Sequence, residues 1–236
     1  MRVGVFIDGQ NITIGARYAF GHGNLHPVLL ARALAPGREI VEVRYATGIP
    51  SPDIDPERHE VEHRRHELML ATEVVVLERP LRYRWEWSLR DRDLPDPRRH
   101  RGEVRRARVK ARQRGEEKGI DVWLALDALV MCTREDLDCV VIASADRDLD
   151  LIPDYVRMIP INEGTKVVQA QVVADDHEVR KNRAYDDTIA IDREVFEFAR
   201  DDFDYSKPLV EEQVAAFVTR IGAAHDGLRD QPRGPR

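Results

Sequence analysis

Cysteine is almost absent, with two in 236 residues, Cys132 and Cys139. Two are too few for a disulfide framework or a cysteine-ligated zinc site, and Cys139 falls in an apolar run that reads as a buried strand. A reducing, cytoplasmic setting is expected. Long apolar runs are missing too. None approaches the roughly 18 residues of a membrane span, and the N-terminal M-R-V-G-V-F-I-D meets an aspartate too early for a signal-peptide core. No membrane partner is therefore expected. The chain also lacks an excess of positive charge: its formal net charge of −6 argues against attraction of nucleic acid by the whole surface and leaves local patterns to decide. No internal repeat is visible, and no serine–histidine or cysteine–histidine arrangement supports covalent catalysis. What is there is 42% hydrophobic and 34% charged residues, the composition of a globular protein with a heavily charged surface. The length suits one core of about 150–200 residues plus an appendage.

Residues 138–150 read D-C-V-V-I-A-S-A-D-R-D-L-D. The β-branched run 139–143 has the character of a strand buried on both faces, as in a parallel sheet covered by helices. It ends in a turn at Ser144, and Asp146, Asp148 and Asp150 follow at alternate positions, where a helix over 148–158 is expected to begin. One aspartate suffices to cap a helix. Because ligands of open α/β sheets sit at the carboxyl ends of the strands, a D-x-D there is also placed to hold a metal. The first strand, 3–7, ends the same way at Asp8-Gly9, which reads either as a plain turn or as a second delivery of a carboxylate to that edge. Asn11 is placed to cap the next helix or to orient Asp8. Helices over 27–34 and 56–72 alternate with strands over 39–47, 73–78 and 165–173, which predicts right-handed βαβ crossovers and a parallel sheet.

Two other constellations carry charge. His59, His63 and His66 fall within roughly 60° of one another on the 56–72 helix, a spacing open to zinc or, among the surrounding Glu and Arg residues, simply a solvated face. Between 98 and 114 runs a basic stretch of Arg98, Arg99, Arg101, Arg105, Arg106, Arg108, Lys110, Arg112 and Arg114, preceded by a short edge strand with Tyr83, Trp85 and Trp87. Such a run is either a solvated arm or a phosphate-binding one, and the aromatics either stack on unpaired bases or pack on the core. The helix expected over 116–132 turns Ile120, Leu124, Ala128 and Met131 to the sheet. It carries Asp121 in its first turn and Asp127 about 120° away around the axis, a half-buried acid in need of a partner or a metal.

Three of these segments, V-F-I-D-G-Q-N at 5–11, E-K-G-I-D-V-W-L-A-L-D at 117–127 and V-V-I-A-S-A-D-R-D-L at 140–149, resemble in order and spacing the signatures of NYN-domain proteins, the LabA-like branch of the PIN-like nuclease superfamily. The resemblance implies a PIN-like three-layer α/β fold, a central parallel sheet flanked by helices, with a metal-binding acidic pocket and ribonuclease chemistry; an all-carboxylate site suits the hard cations Mg²⁺ or Mn²⁺ as cofactor. It places the metal-binding, catalytic acids on Asp8, Asp121, Asp146 and Asp148, with Asn11, Lys118, Asp127 and Ser144 as matching positions. Two positions depart from the family pattern. Ala145 stands where a glycine is usual, which bears on the angle of Asp146 if the turn needs a positive φ, and Leu149 replaces a phenylalanine.

Further on, Asp175-Asp176 are expected to cap a short helix through Arg180-Lys181, and 189–191 to close a domain over 1–200. An acidic linker at 201–205 should lead to an amphipathic helix, with Val210, Val214, Phe217, Val218 and Ile221 on one side, that docks on the domain or on a second copy to make a homodimer. Residues 226–236 read as a disordered tail. The expected function is a metal-dependent endoribonuclease-like hydrolase whose partner is RNA or another single-stranded nucleic acid. The competing class is a module that binds nucleic acid or a partner on the same fold without cutting. A phosphatase with Asp8 as nucleophile is weaker, since Gln10 stands where a second acid would be needed.

Overall fold

The computed structural model describes residues 1–89 and 109–227. The chain runs β1 (Arg2–Asp8), α1 (Gly9–Phe20), α2 (Pro27–Leu34), β2 (Glu39–Ile49), α3 (Pro56–Ala71), β3 (Val74–Pro80), β4 (Arg82–Leu89) and β5 (Val109–Glu116). It continues through α4 (Ile120–Arg134), β6 (Cys139–Ala143), α5 (Ile152–Arg157), β7 (Lys166–Val172), β8 (Asp187–Ile191), α6 (Arg193–Phe198) and α7 (Glu211–Gly227). Six strands form one parallel sheet in the order β3-β2-β1-β6-β7-β8. From β1 the chain steps outward to β2 and β3, then crosses back to lay β6 against the other side of β1. The direction of winding therefore reverses between β1 and β6, and a crevice opens where their carboxyl ends diverge.

Alternation along these strands builds two cores. Val3, Val5, Ile7, Val141 and Ala143 face one core, which α1, α2, α3, α6 and α7 cover. Phe6, Val140 and Ile142 face the other, beneath Leu124, Ala128 and Met131 of α4 and Ile152 and Val156 of α5. Each large aliphatic chain sealed in this way contributes about 1.5–3 kcal/mol. The expected three-layer α/β architecture is the one found.

Several local expectations are corrected. The helix foreseen over 148–158 is divided into a single 3₁₀ turn, Arg147–Leu149, and α5. Pro153, second in α5, has no N–H to give to the Leu149 carbonyl, which accepts instead from the Tyr185 hydroxyl at 3.1 Å. The helix foreseen from 116 starts at Ile120 because Gly119, with φ of 69°, holds the left-handed turn before it. No helix forms over 175–181, where there is no apolar face to bury. The chain turns with His177 N–H on the Ala174 carbonyl at 2.9 Å, and the Asp175 carboxylate is taken by Arg193 at 2.6 Å. Beyond β8, the short helix α6 is capped by Asp192, which accepts from the Val195 N–H at 2.9 Å.

The basic stretch is also placed differently. Its end belongs to β5, which pairs antiparallel with β4 in a two-stranded ribbon, Lys110 opposite Ser88 and Arg112 opposite Glu86. Arg98, Arg99, Arg101, Arg105, Arg106 and Arg108 lie outside the described residues. The acidic stretch 201–205 folds onto the core: Asp201 is buried and accepts from the Tyr205 hydroxyl at 2.6 Å and the Phe203 N–H at 3.1 Å. After it, α7 buries Phe217 and Ile221 in the same core as α2 and α3, so its apolar side is occupied within its own chain. From 228 onward the expected tail lies outside the described residues. Among the described residues no helix is long and apolar enough to cross a membrane.

Candidate active site

β1 delivers Asp8 to the crevice and passes directly into α1. That abrupt change requires Gly9, since a Cβ there would stand 2.4 Å from Cζ of the buried Tyr45 ring. Asp8 caps α1, its Oδ1 accepting from the Asn11 N–H at 3.0 Å. Its Oδ2 accepts from the Ser144 hydroxyl, also at 3.0 Å, and so ties the end of β1 to the end of β6. Ser144 is completely buried; its Oγ in turn accepts from the Asp146 N–H at 3.1 Å, and its carbonyl from the Gln169 amide at 3.0 Å. Asn11 closes the frame by accepting from the Ala145 N–H at 2.9 Å. Asp146 caps the 3₁₀ turn through the Asp148 N–H at 3.0 Å. Asn11 and Ser144 thus position two aspartates from separate strands.

Neither departure from the family pattern disturbs this frame. Among the described non-glycine residues only Glu73 has a positive φ, so the turn asks nothing of Ala145 that an alanine resists. Leu149 is buried in the α4 core, filling with an aliphatic chain the place of an aromatic one.

A cleft of about 470 Å³ opens over this frame, and four carboxylates line it: Asp8, Asp146, Asp121 from the first turn of α4, and Glu117 from the segment before it. Burial pushes the Asp8 pKa above the ordinary carboxylate range. The Asn11 N–H and Ser144 hydroxyl pull it back, and the neighbouring Asp146 and Asp121 push it up again. Glu117 is also raised by burial, against the Gly48 N–H at 2.6 Å and the Thr47 hydroxyl at 3.4 Å, which favour its charged form; Asp8 adds to the rise. Such a site is costly to ionise unless a cation joins it.

The donor chemistry fits a hard divalent cation, whose preferred ligands are oxygens. Among the described residues no three His, Cys, Asp or Glu side chains converge closely enough to enclose an ion. Mg²⁺ commonly binds through one or two carboxylates and keeps several waters. The open, water-accessible cleft around Asp8, Asp121 and Asp146 suits that mode rather than an all-protein cage.

The NYN domain model matches residues 2–167, well over half of the chain and every element that lines the cleft. The chain belongs to the NYN domain family. NYN domains lie within the PIN-like nuclease superfamily, whose members generally use divalent metals. The fold is similar to the crystal structure of a protein of unknown function from Vibrio parahaemolyticus, with a TM-score of 0.50 and 18% identity over 83% of this chain and 94% of that one. No curated protein matches.

Within this NYN domain the other positions singled out by sequence go elsewhere. Asp148 is exposed and does not line the cleft; it serves through its backbone N–H. Asp127 is held by Arg44 of β2, which also binds Glu42 at 2.8 Å, so the partner that its half-burial demanded is a guanidinium. Lys118 is exposed and outside the lining. The His59 and His63 rings lie 6.0 Å apart, but each of the three histidines has its own partner. His59 Nδ1 meets the Pro50 carbonyl at 2.7 Å, His63 faces Glu67 at 3.6 Å, and the buried His66 meets Glu78 at 2.7 Å. Tyr83 is tied to the body of the domain, its hydroxyl accepting from the Ser51 N–H at 3.0 Å, whereas Trp85 is 60% exposed on the ribbon. Glu117 was the cleft acid that sequence reasoning passed over. It opens the second motif, but no strand end or helical periodicity marks it, because what holds it at the cleft is the Gly48 N–H, distant in the chain.

Proposed function

We propose that this NYN domain is an Mg²⁺- or Mn²⁺-dependent nuclease acting on RNA, cutting within the strand as an endoribonuclease. The supporting observation is the buried Asp8, clamped by Asn11 and Ser144 and facing the charges of Asp146 and Asp121 at the reversal point of the sheet. A helix cap alone does not need burial beside two further acids, and a module for binding polyanions gains nothing from clustered negative charge without a cation. On this reading Asp8, Asp121 and Asp146 hold the metal, with Asp148 at the rim. When bound, the metal lowers the pKa of a coordinated water and neutralises charge on the phosphate undergoing attack. The protein fixes the geometry: Asn11 and Ser144 occupy one lone pair on each Asp8 oxygen and leave the others for the ligand. Glu117 lines the same cleft with its pKa raised by burial, which makes it the side chain to exchange a proton with the attacking water. The catalytic unit is residues 1–200, with 201–225 folded back onto it, and the basic residues of the stretch 98–112 supply contacts to phosphates.

Asp146→Asn tests this reading. The variant keeps the cap on the Asp148 N–H and removes one charge beside Asp8, so without metal it should melt at the parental temperature or above. Cleavage of a labelled single-stranded RNA and the rise in melting temperature on adding Mn²⁺ should fall together. A parent that cuts nothing with Mn²⁺ or Mg²⁺ and shows no metal-induced rise would return the chain to a non-catalytic binding module.

A further inference from the structure

The acidic cleft does not end at Glu117. Gln10, Ile14 and Glu117 are shared with a second cleft of about 180 Å³ between the ends of α1, β2 and α3 and the root of the ribbon, where Leu81 and Gly115 form a wall. Its chemistry is opposite to that of the first. Arg17, Arg58 and Arg65 line it against two acids, Glu62 and Glu117. Glu62 stands 3.7 Å from Arg65, and Glu117 is committed to the Gly48 N–H. Among the described residues neither Arg17 nor Arg58 has an ion-pair partner.

Arg65 is preorganised. Its guanidinium donates to the Leu25 carbonyl at 3.1 Å and lies 5.8 Å from the centre of the Tyr45 ring, within cation–π range. Tyr45 can stand there only because Gly9 carries no side chain. The glycine that turns the chain after Asp8 therefore also makes room for the floor of the basic cleft. Thr13 and Thr47 add hydroxyls to the lining. A planar, always-charged fork among hydroxyls matches the oxygens of a phosphate. The volume is below the roughly 300–1,000 Å³ of pockets that enclose drug-sized ligands, so the space suits one phosphate group rather than a whole nucleotide.

We infer that the cleft of Arg17, Arg58 and Arg65 is a phosphate-binding subsite, which seats a strand phosphate one step from the phosphate presented to the carboxylates and so sets the direction in which the strand crosses the site. The inference rests on the nuclease reading for the identity of the polyanion but not for the existence of the subsite. The phosphate is either an internal diester, with two non-bridging oxygens, or a 5′-terminal monoester, with three and a higher charge, and the arginines could take either.

The test is calorimetric titration in EDTA with a trinucleotide RNA in its 5′-phosphate and 5′-hydroxyl forms, on the parent, Arg17→Gln, Arg58→Gln and Asp146→Asn, with melting curves to show that each is folded. Both arginines are exposed, so their substitution should leave folding intact. Arg17→Gln and Arg58→Gln should each weaken binding at least fivefold, and Asp146→Asn should not weaken it. If the seat takes a terminal phosphate, the parent prefers the 5′-phosphate form about tenfold and the arginine variants lose that preference. If it takes an internal one, both forms bind alike and weaken alike. Absence of saturable binding to the parent, or unchanged binding in both arginine variants, overturns the subsite. Loss of cleavage alone bears on the metal site, since no metal is present in this titration.

Discussion

Ser144→Ala probes the frame on which the acidic cleft depends. The hydroxyl is fully buried, donates to Asp8 Oδ2 at 3.0 Å and accepts from the Asp146 N–H at 3.1 Å. Losing a hydrogen bond to an ionised group costs about 1.5–3 kcal/mol, and a half-buried N–H left without a partner adds about 1 kcal/mol. At pH 8 in EDTA the variant should therefore be less stable by roughly 2–4 kcal/mol. For a chain of this length each kcal/mol moves the melting temperature by about 2–4 °C. The cost should depend on pH. Burial holds the Asp8 pKa above the carboxylate range and the Ser144 hydrogen bond works against that rise, so the variant's folded-state pKa lies higher still. A carboxyl whose pKa is raised by folding loses stability as pH climbs from the unfolded to the folded value. The gap between variant and parent thus opens as pH rises through the parental Asp8 pKa and narrows again below it, where a protonated Asp8 forfeits only a neutral hydrogen bond of about 0.5–1.5 kcal/mol. Urea denaturation at pH 4 to 8 measures it directly. A cost under about 0.5 kcal/mol would show that Asp8 is not the clamped group described.

Gly9→Ala should cost about 1–3 kcal/mol through overpacking, since its Cβ would stand 2.4 Å from Tyr45 Cζ and 2.6 Å from its hydroxyl; a parental melting temperature would mean that Tyr45 moves freely. His26 is fully buried against Phe217, its pKa pushed down to about 3 by burial. The unfolded chain therefore takes up a proton below about pH 6.5 that the native one refuses, and stability should fall by up to about 1.4 kcal/mol per pH unit from that residue. His26→Leu should flatten this part of the acid limb while leaving stability at pH 8 nearly unchanged, because the Thr72 hydroxyl retains the Met69 carbonyl at 2.8 Å; an identical acid limb would refute the assignment. Replacing Arg105, Arg106 and Arg108 by Gln should make log K against log salt less steep, by up to about 0.7 per lost contact on a single strand, and an unchanged slope would leave the stretch as a solvated arm.

The parallel core was legible because β1, β3 and β6 are short β-branched runs with one interpretation, and because Asp8 and Asp146 follow them at once. The elements that were misread are those where a tertiary partner outweighs local pattern. The Asp201 carboxylate looks solvated in sequence until Tyr205 and Phe203 bind it; Pro153 ends a helical pattern by subtracting a single N–H. β5 is a strand in which every second residue, Lys110 to Glu116, is charged, recognisable only by its pairing with β4. The site was read through its motifs, and the part that escaped was what folding alone brings near. Glu117 and Arg58 are far apart in the chain, yet the Arg58 charge acts on the Glu117 carboxyl.

That proximity bears on how one cleft can attract a polyanion while collecting carboxylates. Acids at strand ends repel a phosphate, and a formal net charge of −6 gives no general attraction. On the proposed reading the attraction is local and, besides the basic stretch 98–112, comes from two sources on either side of Glu117. On one side a divalent cation would turn the Asp8, Asp121 and Asp146 cluster from repulsive to attractive; on the other, three arginines already face solvent-accessible space. Without the cation, a strand could touch the basic cleft, where nothing is placed to cut it, but not the acidic one. With the cation, two consecutive phosphates would meet two positive centres, and only then would the carboxylate frame reach the diester. Metal binding would in this way act as a gate on substrate engagement as well as on chemistry, because the same buried charge that makes Asp8 unfavourable alone makes the acidic half of the cleft closed to phosphate until it is neutralised.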